Sequence, residues 1–348
     1  MSAANLLEQY AAIRTTTALV RASETRVVRL RGRDAQSAAQ WLLPSRLYLR
    51  DAQARQSLLL DERGRPVADV LVAADDEDYL LLIDGPIDPI PHMRAHLRGD
   101  AQIESLSETH QVIEVHGPWA WELLAQVLGE DLLALPYLNF FRIDEGLCVR
   151  AGKTGEFGYQ VIVARGDAPS VVDRFVDRGA EFDMVEVSPH ALSLASFENW
   201  FFDPHHVAAD VTAVELSLSW RLAHDRDFLG RDAIVARRAS RTTAQACVLA
   251  EGEVSAGDRV MLAGRAVGSL SRAAFSPTRQ RWFASAQLET RLVFAGIDLV
   301  TERGVALRTI APPLVDNRSL YVDPRRHAYR SRDEVAFGVA STGRGSTR

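Results

Sequence analysis

Apolar residues recur at two different spacings along the first two thirds of the chain. Helical spacing marks Leu6 to Leu19 and Trp119 to Leu128, and shorter runs such as Val67 to Ala73 have the composition of strands. The links between neighbouring strands are short and hairpin-like. The pattern therefore predicts an α+β fold rather than a doubly wound parallel sheet.

The pattern changes after a short polar and basic stretch, residues 237–243. From there to Ile310, short apolar runs, Leu292 to Phe294 among them, are separated by turn residues. This spacing is typical of a small all-β barrel. We therefore divide the chain into an α+β region of two subdomains at 1–236, a β-barrel domain at 244–322 and a tail at 323–348. The tail is rich in Arg, Ser and Gly, and its composition predicts disorder.

Composition narrows the range of functions. Of 348 residues, 47% are hydrophobic and 25% charged, and the formal net charge is -6. This charge gives no general attraction to nucleic acid or to an anionic membrane, and the apolar runs are shorter than the roughly 20 residues of a membrane span. The first residues lack the layout of a signal peptide, so we expect a cytoplasmic protein. Spacings typical of zinc ligands are absent from the sequence, so no metal is expected.

The single lysine of the chain, Lys153, lies in the glycine-rich segment from Gly152 to Gln160, between two apolar runs. Glycine permits positive φ and close approach of backbones, so the segment has the features of a hairpin turn. Thr154 and Glu156 add a hydroxyl group and a carboxylate at its tip. From these residues alone, a plain turn and a ligand-binding loop both remain open.

Gly152 to Gln160 resembles the Tyr-Thr-Gly-Glu-x-Gly-Tyr/Phe-Glu signature of the T-protein of the glycine cleavage system, the folate-dependent aminomethyltransferase family. Further segments resemble the family in the same order over nearly the whole chain: residues 30–35, 64–72, 116–120, 212–220, 228–231, 267–277 and 312–315. The resemblance implies an aminomethyltransferase-like folate-binding fold with a C-terminal barrel. It also implies tetrahydrofolate as the cofactor and one-carbon transfer as the reaction.

The resemblance also implies roles for individual residues. Asp69 matches the family's catalytic carboxylate, which would stabilise positive charge on a reacting nitrogen beside the folate. His205 and His206 are candidate acid or base groups, because histidine titrates near neutral pH; the alternative is a pair of solvated loop histidines. The residues expected to bind cofactor or substrate are Asp84, Lys153, Thr154, Glu156, Gln160, Glu198 and Tyr321. We expect Asp69, Glu156 and Gln160 around one central cavity.

Several family contacts are substituted in this chain. Gln160 stands where the family has a folate-contacting glutamate, and Leu192 falls near the position of its arginine. A carboxylate can accept two charge-assisted hydrogen bonds from a pterin edge, whereas an amide cannot. We therefore expect the chain to bind tetrahydrofolate weakly or not at all, because the lost charge-assisted pair costs about 2–3 kcal/mol. We expect Gln160→Glu with Leu192→Arg to tighten binding.

The favoured interpretation is a divergent folate-dependent one-carbon transferase or demethylase that moves a methyl or aminomethyl group of a small molecule. One alternative is a folate-independent enzyme of a specialised pathway on the same scaffold. Another is a non-catalytic binding relative, although the retained Asp69 argues against it. The expected partner is a small-molecule substrate, with neither nucleic acid nor membrane, and the oligomeric state is left open.

Overall fold

The computed structural model describes residues 3–208 and 210–337 of the chain. Its helices are α1 (Ala3–Thr15), α2 (Ala35–Leu42), α3 (Pro89–His96), α4 (Ala120–Leu128), α5 (Ala168–Gly179), α6 (Pro189–Glu198) and α7 (Arg231–Ser240). Its strands are β1 (Thr17–Val20), β2 (Arg26–Arg31), β3 (Ala54–Leu60), β4 (Pro66–Asp75), β5 (Asp78–Asp84), β6 (Gln102–Ser105), β7 (His110–His116), β8 (Phe140–Ile143), β9 (Gly146–Val149), β10 (Gly158–Ala164), β11 (Met184–Glu186), β12 (Thr243–Ala250), β13 (Arg259–Leu262), β14 (Arg265–Ser276), β15 (Arg281–Glu289), β16 (Asp298–Thr301) and β17 (Ala306–Ile310). None of the described helices is long and apolar enough to cross a membrane.

The first sheet has five strands in the order β3-β4-β5-β2-β6. Its central strands are rich in Val and Leu, and both of their faces are buried. Helix α2 covers one face of the sheet. β4 runs antiparallel to β5, and their register pairs Asp69 with Asp84. Directly opposite residues project from the same face of a sheet. The register therefore places two carboxylates side by side.

The second sheet has six strands in the order β11-β1-β7-β10-β9-β8. β9 and β10 form an antiparallel hairpin, in which Val149 pairs with Gln160, so the Lys153 segment is a turn as its glycines predict. β10 also pairs with β7, and this register sets Gln160 opposite Glu114 and Gly158 opposite His116. The hairpin thus presents its turn and one face of β10 toward the first sheet.

The C-terminal strands close into a barrel in the order β12-β15-β14-β13-β16-β17. Together with the two mixed sheets and their helices, this confirms the predicted α+β class with a C-terminal barrel. One predicted strand is wrong: Leu292 ends a 3₁₀ turn and Val293 follows it without entering a strand. Within the barrel, the pattern missed β16, which alternates exposed and buried residues over four positions and is too short to show a clear period.

Two further expectations differ from the structure. The predicted helix from Leu6 to Leu19 ends at Thr15, and β1 begins at Thr17, because consecutive β-branched threonines disfavour a helix and favour a strand. Residues 323–337, predicted to be disordered, instead pack on the second sheet. There Tyr329 is buried, with its ring 5.8 Å from that of Trp119. Apolar residues scattered through this otherwise polar segment provide the side chains that are buried. Residues 338–348 of the predicted tail lie outside the described residues.

Candidate active site

A cavity of about 430 Å³ lies between the two sheets, α6 and the loop that follows α6. This volume is in the range of small-molecule sites. The predicted residues that line it are Asp69, Asp84, Lys153, Thr154, Gln160, His205 and His206. Glu156, Glu198 and Tyr321 are described but are not among the residues of its wall. The structure therefore gathers most of the predicted site into one space.

Asp69 is the buried carboxylate of the cavity wall, with its side chain only 4% exposed. Oδ1 accepts a hydrogen bond from Nη1 of Arg221 at 2.6 Å, and Oδ2 lies 2.7 Å from Nζ of Lys153. A carboxylate at such depth is costly unless it is paired. Two cations provide that pairing here, so Asp69 is held in place on both of its oxygens.

Lys153 links Asp69 to the second carboxylate, Asp84. Its ammonium donates to Oδ2 of Asp84 at 2.8 Å, and Oδ1 of Asp84 lies 2.9 Å from Nε2 of His205. Burial acts to lower the pKa of Lys153, but the charges of Asp69 and Asp84 outweigh it and raise the pKa. Burial likewise acts to raise the pKa of Asp84, yet Lys153 and then His205 lower it. Lys153 is therefore an ammonium ion and Asp84 a carboxylate at neutral pH.

The turn reaches over the cavity because two glycines allow its ends to touch. A Cβ built on Gly152 would lie 2.9 Å from the Cα of Gly158, and one built on Gly158 would lie 2.7 Å from the Cα of Gly152. Real Cβ atoms do not approach backbone so closely, so neither position accepts a side chain without a shift of the chain. This close contact fixes where Lys153 leaves the hairpin.

Three predicted binding residues have partners elsewhere in the fold. Glu156 accepts hydrogen bonds from the backbone N–H groups of Arg318 and Ser319, at 3.1 and 2.8 Å. Glu198 is fully buried beneath α1 and the barrel, and the hydroxyl of Tyr321 donates to Asp316 at the surface. The structure thus uses these side chains to join segments of the chain.

The two histidines differ in environment. His205 is bound to Asp84, as described above, whereas Nε2 of His206 lies 3.8 Å from the carboxylate of Asp203. Burial, followed by the charge of Arg272, lowers the pKa of His206, and Asp203 opposes them only in part. His206 is therefore predominantly neutral at pH 7, and it can accept a proton or a hydrogen bond.

Sequence reasoning missed the pair formed by Glu114 and His116, which also line the cavity. Nε2 of His116 donates to Oε2 of Glu114 at 2.8 Å. Nδ1 of His116 and Oε1 of Gln160 are buried, and neither has a hydrogen-bond partner among the described residues. The available signal was the spacing of Glu114 and His116, two apart on a predicted strand, which puts both side chains on one face.

Comparison of the sequence with known proteins shows an enzyme of the transferase class. Residues 2–226 match the family model described as the GCVT N-terminal domain. The chain belongs to the aminomethyltransferase family, whose glycine cleavage T-protein it resembles in sequence.

Two relatives illustrate the extent of the similarity. The aminomethyltransferase of Thermus thermophilus is 26% identical over 294 residues, which cover 82% of this chain and 83% of that protein. The aminomethyltransferase of Bacillus subtilis is 26% identical over 291 residues, which cover 79% and 80%. The crystal structure of the glycine cleavage system aminomethyltransferase T from Bartonella henselae has a TM-score of 0.81 over 90% of each chain at 19% identity, which shows the shared fold.

Proposed function

We propose that the chain is a folate-dependent one-carbon transferase that moves a methyl or aminomethyl group between a small molecule and tetrahydrofolate. The observation that carries this proposal is Asp69. It stands where the resemblance places the family's catalytic carboxylate, it lies in the wall of a cavity of ligand size, and both of its oxygens are held by cations. The unpartnered Oε1 of Gln160 in the same wall is an acceptor that fits an N–H group of a pterin ring.

Arg221 and Lys153 determine what Asp69 can do. Tetrahydrofolate, when bound, supplies the nitrogen atoms that carry the one-carbon unit. Asp69 would orient the reacting nitrogen and stabilise positive charge that develops on it. Because the ammonium of Lys153 lies only 2.7 Å from the carboxylate, this stabilisation is weaker than that of a lone carboxylate. Lys153 thereby tunes the electrostatic strength of Asp69.

Lys153 is not a free cation for an anionic substrate. Its ammonium is already shared between Asp69 and Asp84, so a substrate carboxylate would have to compete with both. His205, whose side chain is 42% exposed, contacts Asp84 at the solvent side of this chain of charges. We therefore propose a neutral or cationic amine-type small molecule as the donor.

Tetrahydrofolate binding and group transfer test the proposal separately. We expect calorimetry to detect binding of tetrahydrofolate, and mass spectrometry to detect its one-carbon derivatives after incubation with small N-methyl amines. Asp69→Asn should remain folded because asparagine keeps the shape. It should be less stable by about 3 kcal/mol, since the buried Arg221 loses its carboxylate and Lys153 keeps only Asp84, and it should lose most turnover. Asp298→Asn, which removes an exposed ion pair with Arg308, is the matched control.

The outcomes separate the alternatives. If the wild-type chain binds no tetrahydrofolate, the folate-independent enzyme replaces the proposal. If Asp69→Asn turns over as fast as the wild type, the carboxylate has only a structural role.

A further inference from the structure

Glu114 and Gln160 form a second polar cluster in the cavity, separate from the linked ion pairs of Asp69, Lys153 and Asp84. They lie directly opposite each other on β7 and β10. Such pairs share a face, with Cβ atoms about 5 Å apart, and both residues line the cavity. A carboxylate and an amide carbonyl are therefore neighbours in its wall.

Glu114 is an anion in a mostly buried setting, with its side chain 12% exposed. Burial acts to raise its pKa, but the hydrogen bond and charge of His116 outweigh this, with smaller help from Ser23 and from the charge of Lys153, and the pKa is lowered. His116 approaches only Oε2. The carboxylate thus retains capacity to accept hydrogen bonds from a ligand.

Unpartnered atoms next to Glu114 point to a ligand. Oε1 of Gln160 and Nδ1 of His116 are buried in the described structure without a hydrogen-bond partner, and such groups are rare in folded proteins unless something else satisfies them. Side chains at Gly152 and Gly158 would come within 3.4 and 3.1 Å of this Nδ1. Glycine at both positions keeps that side of the imidazole uncrowded.

Two acceptors side by side match a ligand edge that carries two adjacent N–H groups. The 2-amino-4-oxopyrimidine edge of a pterin is such an edge, and a carboxylate is its strongest acceptor. We infer that Glu114 supplies the carboxylate that position 160 lacks, so that Glu114 and Gln160 each accept one hydrogen bond from the pterin edge. This inference rests on the proposed function. It extends that proposal by naming the residues that accept hydrogen bonds from the pterin ring.

Binding of two ligands tests the inference without any turnover. The ligands are tetrahydrofolate and 6-methyltetrahydropterin, which has the same ring edge but no glutamate tail. Glu114→Gln should weaken both by about tenfold or more, measured by calorimetry and by the difference absorbance spectrum of the bound pterin. Glu186→Gln, which removes an exposed carboxylate from the same sheet, should leave both affinities unchanged.

Gln160→Glu gives an independent second variant. The sequence predicts tighter binding when this change is combined with Leu192→Arg. The register, however, places the new carboxylate directly against Glu114, where like charges repel. We therefore expect weaker binding, and this variant decides the matter if Glu114→Gln fails to fold.

The outcomes distinguish the inference from the proposed function. Wild-type binding with unchanged affinity in Glu114→Gln, or tighter binding in Gln160→Glu, overturns the inference and leaves the folate transferase standing. Weakening of tetrahydrofolate but not of 6-methyltetrahydropterin also overturns it, because Glu114 would then contact the tail. Absence of binding of either ligand to the wild type overturns both.

Discussion

Lys153 is the residue on which the charges of the cavity depend. Its ammonium pairs with both Asp69 and Asp84, at 2.7 and 2.8 Å. Positive and negative side chains thus alternate from Arg221 through Asp69 and Lys153 to Asp84. Removal of Lys153 would leave Asp69 with one cation and Asp84 with only His205. Whether Asp69 acts as a strong or a weakened anion is therefore decided by one side chain of the hairpin turn.

The Lys153 and Asp84 interaction should depend on pH in a defined way. The lowered pKa of Asp84 means that its contribution to stability is complete above its ordinary value of about 4 and is lost as pH falls through the folded value. The raised pKa of Lys153 means that its contribution is complete below its ordinary value of about 10.4 and is lost as pH rises through the folded value. The coupling free energy between Lys153 and Asp84 is therefore present only at pH values between the folded pKa of Asp84 and the folded pKa of Lys153.

A double-mutant cycle with Lys153→Met and Asp84→Asn measures this coupling. Both side chains are about a third exposed, at 30% and 38%, so we expect about 1 kcal/mol near pH 7. Urea unfolding of the four proteins near pH 7 and below about pH 4 gives the values. A coupling energy that stays constant in acid would show that the two side chains do not interact as charges.

At the scale of elements, the β9–β10 hairpin is the feature that builds the site. Gly152 and Gly158 let its two ends meet, and the turn between them carries Lys153 across to the first sheet. The same hairpin brings Gln160 beside Glu114. Both polar clusters of the cavity therefore depend on one close backbone contact.

Gly158→Ala tests the close contact. Its Cβ would lie 2.7 Å from the Cα of Gly152 and 3.1 Å from Nδ1 of His116, so we expect a loss of about 1–3 kcal/mol in unfolding free energy and weaker ligand binding. Gly166→Ala is the control, because a Cβ there meets nothing within 4 Å. Equal melting temperatures of the two variants would contradict the structural role of the contact.

Local pattern and family resemblance were sufficient for the fold class, for most of the longer helices and strands, for the barrel and for the position of Asp69 in the cavity wall. They did not identify partners distant in sequence. Arg221, which holds Asp69, is 152 residues away, and the pairing of Glu114 with Gln160 follows from strand register, which a single sequence specifies only through folding of the whole sheet. Glu156 and Glu198 occupy motif positions, yet their burial against other segments directs them away from the cavity.

At the scale of the whole molecule, Glu198 joins the α+β region to the barrel. Its buried carboxylate accepts hydrogen bonds from Arg14 of α1 at 3.0 Å, from Ser276 of β14 at 2.5 Å and from Tyr10. Burial raises the pKa of Tyr10 to about 12, so this hydroxyl remains a donor. One side chain of α6 thereby fastens three parts of the chain behind the cavity.

Glu198→Gln should separate stability from binding. The change leaves the buried Arg14 without its charged partner, and we expect a loss of about 3–5 kcal/mol in unfolding free energy. Affinity for tetrahydrofolate should stay the same in the folded fraction. Glu186→Gln, at an exposed ion pair, should change stability by less than about 0.5 kcal/mol. A large loss of affinity without loss of stability would instead make Glu198 a ligand contact.

Because Lys153 is the only lysine among 348 residues, amine chemistry on the side chains of this protein is restricted to its cavity. Apart from the α-amino group, reductive dimethylation with ¹³C-formaldehyde would label this nitrogen alone. Only the neutral amine reacts, and the raised pKa of Lys153 keeps that form scarce, so the labelling needs alkaline pH and a long reaction time. The labelled methyl groups would lie between Asp69 and Asp84, where their NMR shifts report any ligand that enters. The site therefore carries its own spectroscopic probe, and no residue has to be replaced to install one.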